Sequence, residues 1–169
     1  MKISIIQGDL TKVKADAIVN SANTYLVRGS GVDGAIHNAA GSKLQDELNE
    51  IKRIRYPKGL PVGEAVKTNA YNLPSKIIIH TLGPRYYSED INLLRNCYIN
   101  SLKVAEDNNC KSIAFPSIGT RAHGVPIEKA VEIVKDVFKD YKSDIIEEVI
   151  FVLFDKNDLG IYEREIKSI

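Results

Sequence analysis

The sequence predicts an α/β fold, a three-layer α/β/α sandwich around a mixed, mostly parallel central sheet. Three observations carry that expectation. Short β-branched runs are bounded by turn residues, apolar residues recur elsewhere at three- and four-residue spacing, and the two kinds of segment alternate. Strands that alternate with helices need crossover connections, which place helices on both faces of the sheet.

The strand-like runs are Ile3–Gln7, Ala17–Asn20, Ala65–Asn69, Lys76–Thr81, Ser112–Pro116 and Glu148–Phe154. A short helix is expected over Gly34–Ala40, continuing or restarting toward Ile51. Helical periodicity is clearest in Leu94, Cys97, Tyr98, Ser101, Leu102 and Ala105. It recurs in Ile127, Ala130, Val131, Val134, Val137, Phe138 and Tyr141, and a last helix is expected from Asn157.

A chain of 169 residues fits one domain, 1–169, and can bury a sizeable core. It contains no repeat, low-complexity tract or linker. Its 44% hydrophobic and 27% charged residues are the balance of an ordinary globular protein. Met1–Gln7 is too short and alternating for a signal peptide, and no run reaches the length of a membrane span. A cytoplasmic protein with no membrane partner is expected. Cys97 and Cys110 are then expected as reduced thiols, with Cys97 buried on its helix stripe. The net charge is +1 with both signs interspersed, which disfavours nucleic acid as a partner.

Ligands of such sheets bind outside the carboxyl ends of the strands, where loops feed helix N-termini. Two unusual loops fall there, 20–34 and 117–126. The first contains Gly29-Ser30-Gly31-Val32-Asp33-Gly34, a literal G-x-G-x-x-G. A dinucleotide-binding turn would follow its strand immediately, and here Ser21–Arg28 intervenes. The acidic residue expected some 20 positions on is also missing from a strand end. The glycines still permit positive φ and close backbone approach, ahead of a helix whose first N–H groups are unpaired. Phosphate binding is therefore expected, against the alternative of a flexible surface turn.

The second loop, Ser117-Ile118-Gly119-Thr120-Arg121-Ala122-His123-Gly124, lacks the Lys-Ser/Thr pair of a triphosphate-binding loop. Two N–H-rich loops without that lysine suit a diphosphate held mainly by backbone. Arg121 either adds a charged hydrogen bond or is a solvated loop residue. Asp9 reads as a turn residue, or as an acceptor for a nucleobase amine. Asp33 reads as a helix N-cap, or as a group that positions water beside a ribose. Asn20 and Asn23 read as Asx turns, or as amides that bond sugar hydroxyls. His37, His80 and His123 have no metal-ligand spacing, so neither a metal nor a cofactor is expected.

Together these strings resemble the macro domain family, in particular its MacroD-type branch of ADP-ribosyl hydrolases and O-acetyl-ADP-ribose deacetylases. The similar segments are Gln7-Gly8-Asp9-Leu10-Thr11, Asp16–Asn23, Gly31–His37, Pro61–Ala65, His80–Pro84 and Ala114–Ile118, and they continue to Tyr162-Glu163-Arg164. The resemblance implies that Asp9 accepts from the adenine amino group, with Leu10 lining the base pocket and Phe154 packing on the base. It implies catalytic roles for Asn23 and Asp33 at the distal ribose, with Asn20 nearby. Gly31 and Val32 would contact the first phosphate region, and Ser117 to Gly124 the second.

The second loop departs from the branch. Arg121 stands at a usual glycine and His123 at a usual aromatic, so the loop path is expected to differ because Arg takes positive φ less readily than Gly. The implied partners are ADP-ribose, O-acetyl-ADP-ribose and mono-ADP-ribosylated proteins. The implied activity is ester hydrolysis, with a non-catalytic ADP-ribose reader as the alternative.

Overall fold

The computed structural model describes residues 1–166. It has β1 (Lys2–Gln7), β2 (Ala17–Ser21), α1 (Gly31–Ala40), α2 (Lys43–Arg55), β3 (Ala65–Asn69) and β4 (Ile77–Thr81). These are followed by α3 (Leu93–Asp107), β5 (Ser112–Phe115), α4 (Ile127–Asp140), β6 (Glu148–Leu153) and α5 (Lys156–Ile166). The six strands form one sheet in the order β1-β6-β5-β2-β4-β3. Every pairing is parallel except β3 with β4. The expected mixed, mostly parallel sheet is therefore present.

Strand side chains divide between the two faces with the two-residue period of extended chain. Val149, Phe151 and Leu153 of β6 face one core, and Ile150 and Val152 face the other. The first core packs under α3, α4 and α5 and centres on Tyr98, Phe115, Phe138, Phe151 and Tyr162. Phe115 stacks on Phe151 with ring centroids 5.9 Å apart. The second core lies under α1 and α2, with Ile36, Ala40, Leu44 and Leu48 against Ile18 and Ile78. Cys97 is in the first core, and burial pushes its thiol up to about 11. It is a packing residue, as its place on the helix stripe implied.

The register sets the location of the cleft. Gln7 pairs with Leu153, Phe115 with Phe151, and Ser21 with Thr81, so β1, β6, β5, β2 and β4 end along one edge. Neighbouring strands β2 and β5 lead to helices on opposite faces, α1 over the second core and α4 over the first. The chain thus separates between them, and a crevice opens at this topological switch point.

Several boundaries differ from the sequence expectation by a few residues, most consequentially at α1. Helix α1 starts at Gly31 rather than Gly34, because Gly31 takes φ +60° and turns the chain directly into the helix. Asp33 is accordingly the third helical residue, and Ser30 holds the cap position.

Candidate functional site

Two connected cavities run along the carboxyl edge. The larger, of about 670 Å³, is lined by Gly8, Asp9, Leu10, Val152 and Phe154, together with the start of α1 and α5. That is an ordinary size for a small-molecule site. The smaller, of about 300 Å³, is lined by Asn23, Gly29, Asp33, Gly83, Ala122 and His123, among others. Gly31, Val32, Ser117 and Arg121 line both, so the two glycine-bearing loops meet where the cavities join.

At the far end of the large cavity, Asp9 performs its turn role with one oxygen. Its Oδ1 accepts from the Thr11 amide at 2.9 Å and the Thr11 hydroxyl at 2.7 Å. The Thr11 hydroxyl holds the carboxyl below its ordinary range. Oδ2 is left for another donor, so the turn and ligand readings are compatible. Leu10 is buried beside it, whereas Phe154 is 84% exposed at the rim.

At the junction, the first turn of α1 presents its amides without competition. Ser30 makes no side-chain capping bond, and the N–H groups of Gly31, Val32 and Asp33 have no carbonyl one turn behind them. The opposing loop is closed by the Val125 amide donating to the Gly119 carbonyl, 3.0 Å. Its positive φ values fall on Gly119 and Gly124, not on Arg121. The arginine therefore needs no left-handed backbone, and its guanidinium reaches across to Asp158 at 3.1 Å. Asp155 lies at 3.9 Å from the same nitrogen. Burial raises the Asp158 carboxyl, and the guanidinium partly opposes that rise.

In the small cavity, Asn23 and Asp33 meet around Gly29. A Cβ on Gly29 would lie 3.2 Å from Asp33 Oδ2 and 3.3 Å from Asn23 Nδ2. Asn23 braces its own loop, with Nδ2 donating to the Val27 carbonyl (2.6 Å) and Oδ1 accepting from the Val27 amide (3.2 Å). One N–H of the side-chain amide remains for a ligand.

Asp33 does not cap α1. Its Oδ2 accepts from the Gly29 amide at 2.5 Å, and Oδ1 accepts from Asn20 Nδ2 at 2.7 Å. His37, one turn later, places Nε2 at 3.7 Å from Oδ1, and burial lowers this imidazole against the opposing pull of Asp33.

Asn20 lines neither cavity. It is fully buried beneath Asp33 and belongs to a chain of side chains that the sequence did not reveal. Asn20 Nδ2 lies 3.1 Å from His80 Nδ1, and His80 Nε2 lies 2.9 Å from Thr68 Oγ1. Thr68 in turn donates to the Asn69 carbonyl at 3.0 Å. The amide nitrogen of Asn20 can only donate, so Nδ1 accepts and Nε2 carries the hydrogen. Ile118, Thr120 and Gly124 also line neither cavity. Ile118 is core, and Thr120 bonds Ser117 Oγ at 2.9 Å. The structure adds Gly8, Ser21, Gly83, Asp155 and Asp158 to the lining. Among the described residues, no cluster of three or more His, Cys, Asp or Glu could hold a metal. No described helix is long and apolar enough to cross a membrane.

The buried His80 makes stability depend on pH. Burial, reinforced by nearby His37, pushes its imidazole down to about 3 from the ordinary 6.5. Between those values the unfolded chain binds a proton that the folded chain excludes. This contribution is complete above pH 6.5 and is lost progressively as pH falls toward 3. We expect the urea midpoint to fall across that window, and to fall less steeply in His80→Gln. Parallel declines would contradict the assignment.

Comparison with known proteins adds four likenesses. The family model described as Macro domain matches residues 19–134. A macro domain-containing protein of Caldanaerobacter subterraneus subsp. tengcongensis is 46% identical over 168 residues, covering 96% of this chain and 94% of that protein. An O-acetyl-ADP-ribose deacetylase of Escherichia fergusonii is 42% identical over 169 residues, covering 96% and 94%. A structure of an Oceanobacillus iheyensis macrodomain mutant with ADPR is 39% identical with a TM-score of 0.92, covering 97% of this chain and 91% of that one.

Proposed function

The chain belongs to the macro domain family, and from that premise we propose that it is a single-domain cytoplasmic hydrolase of ADP-ribose esters. Its substrates are O-acetyl-ADP-ribose and proteins carrying mono-ADP-ribose on acidic side chains. The observation that carries this reading is the junction of the two cavities. There the uncapped start of α1 faces the Ser117–Gly124 loop and Arg121, a setting for a diphosphate with a nucleoside on one side and a ribose on the other.

Adenine occupies the larger cavity, with Asp9 Oδ2 accepting from its amino group and Phe154 covering a face. The distal ribose occupies the smaller cavity. Asn23 donates to a ribose hydroxyl, and Asp33 orients the attacking water. Because Asn20 and Gly29 hold both carboxylate oxygens, Asp33 enters the reaction already placed. That avoids an orientational cost that can reach about 10²-fold in rate for a 1 Å misplacement. The two buried free thiols fit a reducing compartment.

Calorimetry with ADP-ribose tests the binding half of this reading, and absence of binding at millimolar ligand would reject it. Phe154 supplies a sharper check. It is largely solvated, so Phe154→Ala is expected to leave the melting temperature unchanged. Affinity should fall by the ~1–3 kcal/mol typical of base–aromatic stacking, roughly 5- to 150-fold. Unchanged affinity would remove Phe154 from the base site.

A further inference from the structure

We propose that His123 is the proton carrier of the distal cavity, taking a proton from the attacking water and returning it to the ribose oxygen. This rests on the ester-hydrolase reading above and assigns a step within it.

The geometry fixes the tautomer of the ring. His123 lines the smaller cavity with Asn23 and Asp33. Its Nδ1 lies 2.7 Å from the Gly83 carbonyl oxygen, which can only accept, so Nδ1 carries the hydrogen. In the neutral ring Nε2 then holds a bare lone pair. No described protein group is hydrogen-bonded to it. The ring is also well anchored. The His123 carbonyl accepts from the Tyr86 amide at 2.9 Å. Gly83 packs so closely on the second loop that a Cβ there would lie 3.0 Å from Ile118 Cγ2.

Asp33 is differently suited. Each of its oxygens already accepts from an amide N–H that cannot reverse its role. Each oxygen keeps a second lone pair, and with both oxygens held in place the carboxylate is set to accept from a water and orient it. His123 adds, in the same cavity, a ring nitrogen with no protein partner. Where the branch that the sequence resembles usually has another aromatic, this chain supplies an imidazole.

The reaction balances without another reagent. A water oxygen bonds to the ester carbonyl carbon while its proton passes to Nε2, giving an imidazolium and a tetrahedral intermediate. Collapse of that intermediate breaks the bond between the acyl carbon and the ribose oxygen. The ribose oxygen takes the proton from Nε2, which leaves a carboxylic acid, a hydroxyl on ADP-ribose and a neutral ring.

The test uses the full chain with O-acetyl-ADP-ribose for turnover and ADP-ribose for calorimetry. His123→Asn can keep a donor to Gly83 but has no base. It should lower kcat by about 10²-fold or more, the usual contribution of a positioned base, with KM and Kd within about threefold. Added imidazole should restore part of the kcat lost in His123→Ala. The proposal is overturned if His123→Asn keeps kcat within about threefold, if kcat and affinity fall together, or if imidazole restores nothing. Wild-type protein that binds without turning over, or does not bind, would reject the functional reading itself and this step with it.

Discussion

Asp33→Asn, although nearly isosteric, is expected to reduce ester turnover about as severely as Asp33→Ala, by about 10²–10³-fold. Oδ1 and Oδ2 each accept from a group that can only donate, Asn20 Nδ2 and the Gly29 amide. An asparagine must turn its NH₂ toward one of them. Either choice sets donor against donor in a pocket where residue 33 is only 6% exposed, and an unsatisfied buried group costs about 1–3 kcal/mol. The side chain or the Gly29 segment then shifts, and the water loses its placement. Asp33 lines the smaller cavity and not the proposed adenine site, so ADP-ribose affinity should change by less than about tenfold. Steady-state kinetics beside calorimetry would separate the two quantities. An Asp33→Asn protein with near-normal kcat would show that neither the charge nor the paired acceptors are needed.

Gly34→Ala should damage binding and turnover together. A Cβ at residue 34 would stand 2.6 Å from the Gly29 carbonyl oxygen, which is backbone and cannot swing aside as a side chain can. The loop must lift from α1, carrying away the Gly29 amide that holds Asp33 and opening the wall shared with Asn23. We expect affinity to fall more than tenfold and turnover more than 10²-fold, with ~1–3 kcal/mol of stability lost to overpacking. Gly160→Ala supplies the contrast. It is an exposed position inside α5 with nothing within 4 Å of a new Cβ. The change to alanine should stabilise by up to about 1 kcal/mol through helix propensity alone, with function intact. Normal binding by Gly34→Ala would mean that the close loop approach is dispensable.

Local periodicity made the fold legible. The β-branched runs and three-to-four spacing located every strand and α-helix to within a few residues, because each pattern follows from which face is buried. The displaced boundary that matters most to the site was the start of α1, where one left-handed glycine, Gly31, turns the chain early. Sequence patterns show that a glycine can adopt such a backbone, not that it does. The two loops were also legible as neighbours, since each follows a parallel strand.

What stayed hidden depends on contacts between distant segments. Asn20, Thr68 and His80 lie on different strands, and only the registers of β2 with β4 and β3 with β4 bring them together. Asn20 therefore read as a ligand contact when its place is beneath Asp33. Likewise, Asp158 is an ordinary first-turn acid in the sequence, and its pairing with Arg121 needed the fold. Asp9 and Asn23 take their turn roles, and these leave room for the proposed ligand roles. Each uses part of its hydrogen-bonding capacity to build the loop and keeps the rest free.

The central claim is that the junction of the two loops holds the diphosphate of an ADP-ribose ester while the distal cavity cleaves it. Incubation of the wild type and Asp33→Ala with O-acetyl-ADP-ribose, with acetate and ADP-ribose both quantified, tests it most directly. The account predicts equal amounts of the two products from the wild type and a loss of about 10²-fold or more in the variant. Tight binding by the wild type with no release of acetate would contradict it and leave the chain a reader of ADP-ribose.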